Sequence, residues 1–155
     1  FRICGNREEA EEVTQDSFVK AFRSLEHFKM RSSFSTWLFR IVYNTSISEV
    51  RRRKKTILSL DEFPAEISDF ADYGSEGESA DKEYRISLVN FALQKIGEEE
   101  RAIVTLYYYD ELSVEEIANI TGITRSNVKV RLFRARQKML GIIEKSLRKN
   151  LIYHE

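Results

Sequence analysis

The residues with the clearest chemistry in this sequence are six cations between positions 124 and 138. No acidic residue lies among them, whereas a helix that only faces solvent usually mixes both charge signs in i,i+4 pairs. A surface of one sign suits the phosphates of a nucleic acid, and cations that merely keep a helix soluble are the less favoured interpretation. The six are Arg125, Lys129, Arg131, Arg134, Arg136 and Lys138.

A helix-turn-helix is the element that would position these cations. Ser113 and Glu116 have the spacing of a capping box at the start of a short first helix. Gly122 supplies backbone freedom for a sharp turn, Ile123 fills the angle between the helices, and a second helix starts at Thr124. The apolar residues of that second helix are spaced four, three and four apart, which predicts one buried stripe. The stripe is Val128, Leu132, Ala135 and Met139.

A second set of residues, between positions 34 and 55, interleaves aromatic side chains with cations. This combination suits single-stranded nucleic acid, because aromatic rings stack on bases and cations pair with phosphates. A small bundle core is the alternative for Phe34, Trp37 and Phe39, and it is the favoured interpretation for Trp37 taken alone. A solvated tail is the alternative for the cations at 51–55. The residues predicted to contact nucleic acid are Phe34, Ser35, Trp37, Arg40, Asn44, Ser48, Arg51, Arg52 and Arg53.

An enzyme is the least favoured class for this chain. Acidic residues at Glu8, Glu9, Glu11, Glu12 and Asp16 suggest metal-dependent phosphoryl transfer, but helical spacing spreads most of them around the helix. The chain has two histidines, one cysteine and no glycine-rich phosphate loop, so no catalytic set is evident. We predict no catalytic residue, no cofactor and no metal site.

The net charge of zero conceals a segregation of charge along the 155 residues. Residues 31–55 carry +6, residues 56–83 carry −8 and residues 124–155 carry +7. Two basic blocks separated by an acidic stretch predict two nucleic-acid contacts on one chain. No apolar run is long enough for a membrane span, no signal peptide is visible, and the single cysteine fits a reducing compartment. We therefore predict a cytoplasmic protein without membrane insertion.

The predicted fold class is all-α, with two small helical domains and a flexible acidic linker between them. The domains are residues 1–55 and 84–155, and residues 56–83, which include the only proline, form the linker. In the first domain, one helix is capped by Asn6 and a second covers about 35–55. The first helix is expected to turn one face to a core, namely Ala10, Val13, Ser17, Phe18, Ala21, Phe22 and Leu25.

Three segments together resemble the bacterial sigma factors of the extracytoplasmic-function group, the minimal two-domain class of RNA polymerase sigma factors. They are AEEVTQDSFVKAFRSL (10–25), FSTWLFRIVYNTSISEVRRRKK (34–55) and LVNFALQKIGEEERAIVTLYYYDELSVEEIANITGITRSNVKVRLFRARQKM (88–139). The first two segments are distinctive of this family, whereas other helix-turn-helix regulators share part of the third. The resemblance implies a sigma factor that binds core RNA polymerase and directs promoter-specific initiation.

The resemblance also implies roles for single residues. Glu12, Gln15 and Asp16 would bind the polymerase clamp. The loop at 27–33 and the segment 34–40 would help open the duplex and hold a flipped base of the –10 element, and Asn44, Ser48 and Arg51–Arg53 would lie along the helix that recognises this element. The acidic linker would run toward the polymerase active-site channel and the RNA exit path. The helix-turn-helix would read the –35 element as duplex DNA. Its contact residues would be Thr124, Arg125, Ser126, Asn127, Lys129, Arg131 and Arg134.

Two further expectations follow from the family. An anti-sigma factor would wedge between the two domains or cover both. Another helix would precede Phe1 and cover the apolar face of the helix at 7–25. The alternative function is a helix-turn-helix transcription regulator that acts without polymerase and uses residues 1–55 for dimerisation or sensing. Such a regulator would not need the exposed acidic surface around Asp16.

Overall fold

The computed structural model describes residues 1–59 and 78–152, and within these ranges the chain forms six α-helices and no strand. A single 3-10 turn, Leu25–His27, follows the first helix. The all-α prediction is confirmed. The helices are α1 (Arg7–Ser24), α2 (Phe34–Ser59), α3 (Glu78–Lys95), α4 (Glu98–Tyr108), α5 (Val114–Thr121) and α6 (Arg125–Ile152).

Helix α1 begins where the sequence predicts it and packs along α2. The Asn6 side chain caps it, because its Oδ1 accepts hydrogen bonds from the amides of Glu8, at 2.8 Å, and Glu9, at 3.4 Å. Small side chains make the contact with α2, and they follow a four-residue spacing that lets the two helices approach closely. The buried residues of α1 are Val13, Ser17 and Ala21.

The burial predicted for the large apolar side chains of α1 is wrong. Phe18 is 64% exposed and Phe22 is 82% exposed, and Leu25 just beyond the helix is also exposed. Helical spacing places these residues beside the buried stripe, but α2 covers only the stripe itself. Among the described residues, no second helix packs against that side of α1.

Helices extend into both ends of the predicted linker. Helix α2 continues to Ser59, beyond the expected end at 55, and α3 begins at Glu78, before the expected domain start at 84. The remaining linker residues, 60–77, lie outside the described ranges, and with them most of the predicted acidic tether.

Helices α3 to α6 enclose one apolar core. Ile117 of α5 and Ala92 of α3 are fully buried in it, and Ile123 packs against it from the turn between α5 and α6. The predicted stripe of the last helix is confirmed, since Val128, Leu132, Ala135 and Met139 are all buried in this core. This core fixes the direction in which α6 presents its opposite, solvent-exposed face.

The two helical parts of the chain contact one another. Helix α2 packs against α5 and α4, and its Phe39 and Tyr43 lie against the core of α3–α6. The first residues of the chain approach α3, where Gln94 Nε2 donates a hydrogen bond to the carbonyl of Arg2 at 3.2 Å. Gly5 (φ +78°) allows this approach, because a Cβ there would lie 2.6 Å from Gln94 Oε1.

Candidate nucleic-acid interface

The turn between α5 and α6 has the geometry of a helix-turn-helix. The Ser113 hydroxyl accepts a hydrogen bond from the amide of Glu116 at 3.2 Å, and the Glu116 carboxylate accepts one from the amide of Ser113 at 2.9 Å. This predicted capping box is therefore present. Gly122 ends α5 in the left-handed region, at φ +77°, as expected for a sharp turn. Ser113 also lowers the pKa of Glu116, because it donates hydrogen bonds from its hydroxyl and its amide to the ionised carboxylate.

Helix α6 begins one residue after Thr124, which caps it. The Thr124 Oγ1 accepts a hydrogen bond from the amide of Asn127 at 3.2 Å. Amide donors of the first turn that the cap leaves unbonded favour an anionic ligand such as a backbone phosphate. Of the residues predicted for duplex contact, Thr124, Arg125, Ser126, Asn127, Lys129 and Arg134 are exposed.

Two arginines of this surface, Arg125 and Arg131, form ion pairs that the sequence did not indicate. Arg125 Nη1 lies 3.5 Å from a carboxylate oxygen of Glu115 on α5. Arg131 is only partly exposed, because its guanidinium donates a hydrogen bond to Glu99 at the start of α4.

Sequence reasoning missed two apolar residues on the exposed face of α6. Phe133 is 58% exposed and Val130 is 42% exposed, and their spacing places Val130 one turn after Ser126 and Phe133 one turn after Lys129 on the same face. The predicted contacts of α6 with duplex DNA included only polar and charged residues. Apolar side chains on a reading helix also carry information, because they can contact the methyl group of thymine. Their exposure could have been predicted from the sequence, because both lie on the side of α6 opposite the buried stripe.

Helix α2 presents most of the second predicted set along one face. Trp37, Arg40, Asn44, Ser48 and Arg51 follow one another at three- and four-residue spacing, so they line one side of the helix. Asn44 and Ser48 are exposed near its middle. Ser35 and Arg53, predicted as members of the same set, lie on the other side of α2 by this spacing.

Three aromatic rings cluster at the start of α2. The ring centroids of Phe28 and Trp37 are 5.0 Å apart, and those of Phe34 and Trp37 are 5.4 Å apart. Phe34 is half exposed and Trp37 is partly buried, so neither is a fully buried core residue. Phe28 was not among the predicted contacts, although its position in the loop before α2 brings it against both rings.

Every predicted arginine of α2 has a partner within the chain. Arg40 Nε donates to the carbonyl of Asn119 on α5 at 3.0 Å. Arg51 pairs with Glu98 and Glu99 of α4. Two further pairs lie within the first helical part: Arg52 Nη2 is 2.6 Å from Glu49, and Arg53 Nη1 is 2.5 Å from Glu9 of α1.

The residues predicted to bind polymerase lie on the exposed side of α1. Glu12, Gln15 and Asp16 all face solvent. In the described ranges there is no group of three or more histidine, cysteine or carboxylate residues that could hold a metal ion. The helices of the same ranges include none that is long and apolar enough to cross a membrane.

Comparison with known proteins matches both helical parts. A family model described as Sigma-70 region 2 matches residues 1–56, and one described as Sigma-70, region 4 matches residues 88–139. The ECF RNA polymerase sigma factor SigW of Bacillus subtilis is 33% identical over 154 residues, which span 90% of this chain and 78% of that protein. The RNA polymerase sigma-H factor of Pseudomonas aeruginosa is 30% identical over 154 residues, spanning 95% of this chain and 79% of the relative.

A solved structure shares the arrangement of the helices. The sigma factor RpoE from Bartonella quintana, in complex with the anti-sigma factor NepR, matches with a TM-score of 0.69 and 26% sequence identity. The match covers 92% of this chain and 86% of that chain.

Proposed function

Because this chain belongs to the extracytoplasmic-function (ECF) group of sigma-70 RNA polymerase sigma factors, we propose that it reads promoters with α2 and α6. Its function is to bind core RNA polymerase and direct initiation at promoters with –10 and –35 elements. The similarity over both sigma regions favours this function over a regulator that acts without polymerase.

The observation that carries the proposed –35 contact is the exposed face at the start of α6. Its first turns present backbone amides, the polar residues Ser126 and Asn127, and the cations Lys129 and Arg134. A helix of this kind fits the major groove, where amide and cationic side chains read base edges. Val130 and Phe133 on the same face would add contacts to thymine methyl groups.

The proposed –10 contact rests on the face of α2 and on the aromatic cluster at its start. Phe34 and Trp37 offer partly exposed rings for stacking on an unpaired base. Asn44 and Ser48 are exposed further along the same face, where they can form hydrogen bonds with a base edge. Arg40, Arg51 and Arg52 would then follow the phosphates of the melted strand.

Polymerase binding is assigned to the acidic side of α1. Glu12, Gln15 and Asp16 are exposed there and suit a basic partner surface. The –10 and –35 contacts can each be weak. Once one has formed on the polymerase, the other forms within the same complex, and this raises the overall affinity for the promoter.

The remaining proposals concern chemistry, location and regulation. Sigma factors are not enzymes, and we propose that this chain does no covalent chemistry and acts in the cytoplasm. The similar RpoE is held by the anti-sigma factor NepR. We propose an anti-sigma partner for this chain as well.

Abortive transcription tests the proposal. Purified core polymerase would be incubated with a panel of promoter fragments, with and without this chain. We expect initiation on particular fragments that depends on the added chain. Duplex binding without any initiation or polymerase binding would instead establish a stand-alone regulator.

A further inference from the structure

Three sulfur atoms occur in the chain, and they differ in their access to solvent. They belong to Cys4, Met30 and Met139, because the sequence has one cysteine and two methionines. Met139 is buried in the core of α3–α6, and Cys4 is buried as well, whereas Met30 is 84% exposed. Oxidation of a thioether requires contact with a dissolved oxidant, so exposure decides which sulfur reacts first. That sulfur is the one of Met30.

The thiol of Cys4 does not compete for an oxidant. A thiol reacts through its thiolate, and burial raises the pKa of Cys4 above its ordinary value. Cys4 therefore stays protonated at neutral pH, and its sulfur lies out of reach of solvent. A mild oxidant should leave it unchanged.

The backbone at Met30 is also unusual. Its φ is +52°, in the left-handed region that residues with a Cβ rarely adopt. The loop 28–33 is held at both ends: the amide of Phe28 donates to the carbonyl of Leu25 at 3.0 Å, and the Ser33 Oγ accepts from the amide of Thr36 at 3.1 Å. Strained residues persist where the flanking structure fixes them, and they concentrate at binding sites. The loop therefore presents Met30 to solvent from a fixed backbone.

Met30 adjoins the aromatic cluster at the start of α2. Phe28, two residues before it, contacts both other rings, with centroids 5.0 Å from Trp37 and 5.9 Å from Phe34. The proposed function uses Phe34 and Trp37 to stack on an unpaired base of the –10 element. A thioether is polarisable and packs well against aromatic surfaces such as the face of a base. Met30 thus lies at the edge of the surface that would receive this base.

Cations on either side of Met30 complete this surface. Lys29 and Arg31 are both exposed. They suit the phosphates that flank an unpaired base, while the apolar side chain between them suits the base itself. A change in polarity at Met30 should therefore act on the capture of the base and leave the charge of the loop unaltered.

We propose that Met30 is a modification site, at which oxidation by a hydroperoxide controls how firmly the chain holds the melted –10 element. The sulfur lone pair attacks one oxygen of the hydroperoxide, the O–O bond breaks and an S–O bond forms. The proton of the transferred oxygen passes to the departing oxygen, which leaves as water or an alcohol. Sulfur loses two electrons and the peroxide gains them. The inference rests on the proposed function, because it takes the –10 surface from it.

The product of this step is a polar side chain in place of an apolar one. The sulfoxide oxygen accepts hydrogen bonds from water, and this water must be removed before the side chain contacts a base. We expect initiation by the oxidised chain to be roughly threefold to tenfold lower, the range implied by losing one contact between sulfur and an aromatic ring. Methionine sulfoxide can be reduced again, so the loss should be reversible.

Mass spectrometry of peptides tests the selectivity without DNA or polymerase. The folded chain is treated with dilute hydrogen peroxide, the peroxide is destroyed with catalase, and the chain is digested. We expect one added oxygen on the peptide that contains Met30, while Met139 and Cys4 stay unmodified. In urea all three sulfurs should react, because unfolding removes the protection of the other two. Equal oxidation of Met30 and Met139 in the folded chain would overturn the proposed site.

Abortive initiation with untreated core polymerase tests the effect. Oxidised and untreated samples of each variant, freed of peroxide, are compared on a promoter that the untreated chain uses. Met30→Leu keeps an apolar side chain that peroxide does not oxidise, so treatment should not change its activity. Met139→Leu removes the buried thioether and is the matched control, and treatment should lower its activity as much as that of the unmodified chain. Met30→Gln introduces a polar group and should start at the lower activity.

The outcomes separate the modification from the proposed function. An equal loss in Met30→Leu would place the damage at another residue and overturn the inference, and so would full activity of a chain whose Met30 is completely oxidised. Methionine sulfoxide reductase should restore both the mass and the activity, and a restored mass without restored activity would also overturn it. If no untreated variant initiates, the proposed function fails together with the effect on the –10 element. The mass spectra then still decide whether Met30 is the reactive sulfur.

Discussion

Exposed side chains on the first turns of α6 differ in how they could act on DNA. Lys129 carries a charge on a flexible stem, whereas Phe133 offers only an apolar ring to the same surface. A lysine can contact a phosphate or a guanine edge, and a phenylalanine can contact a thymine methyl group. The two residues therefore allow the charged and apolar parts of the proposed –35 contact to be measured separately.

Lys129→Ala should reduce transcription from a cognate promoter about tenfold, because one favourable contact to DNA is lost. The measurement is abortive initiation with core polymerase. Lys145→Ala, an exposed lysine further along α6, is the matched control and should leave initiation unchanged. Unchanged initiation by Lys129→Ala would show that its side chain does not contact the promoter.

Phe133→Ala should lower the use of the –35 element while leaving stability almost unchanged, because most of this ring is already in solvent. Promoter competition and thermal unfolding of the same preparation measure the two effects. Leu140→Ala, at another exposed apolar position of α6, serves as the control. A large loss of stability in Phe133→Ala would indicate a packing role instead.

At the level of the elements, α5 and α6 were predictable because their signals are local. The capping box at Ser113, the left-handed Gly122 and the buried stripe of α6 are all defined by residues within a few positions of one another. The exposure of Phe18 and Phe22 was not predictable from spacing, because burial depends on which neighbour covers a face. The pairing of Glu99 with Arg51 joins residues far apart in sequence, and no local pattern specifies it.

Ser113→Ala should destabilise the chain by about 1 kcal/mol, because the amides at the start of α5 lose their cap. Urea unfolding followed by circular dichroism measures this loss. Ser32→Ala replaces an exposed serine in a loop and should change the free energy of unfolding very little. Equal stability of the two variants would show that the cap does not contribute.

The other half of the capping box predicts a dependence on pH. Because folding lowers the pKa of Glu116, its stabilising effect is present above the pKa of an unfolded glutamate and is lost as pH falls through the folded pKa. The difference in unfolding free energy between the unmodified chain and Glu116→Gln should therefore shrink on acidification. A difference that stays constant with pH would exclude an ionised Glu116 as its source.

At the level of the whole molecule, the proposed polymerase surface lies apart from the charge-paired contact between α2 and α4. Glu12, Gln15 and Asp16 face solvent on α1, so the ion pairs of α2 leave them exposed. The proposed polymerase contact therefore does not require those ion pairs to break.

Asp16→Lys should weaken binding to core polymerase while the free chain keeps its affinity for duplex DNA. The expected loss is about tenfold, because a favourable contact with a basic surface becomes a repulsive one. Pull-down with core polymerase measures the first affinity, and fluorescence anisotropy with a short labelled duplex measures the second. Glu144→Lys makes the same charge change on α6 and is the control. Retained polymerase binding would remove Asp16 from the interface.

The first turn of α4, which consists of Glu98, Glu99 and Glu100, also affects how salt acts on the chain. Cations that bind DNA normally release the counterions condensed on the phosphates, and affinity then falls steeply as salt concentration rises. In the free chain, Arg51, Lys54, Arg131 and Lys138 lie instead against the glutamates of this turn. Added salt weakens the internal pairs as well as the DNA contacts. If Arg51 and Arg131 bind promoter phosphates as proposed, they first leave Glu99, so the affinity for DNA should fall less steeply with added salt than the number of cations suggests.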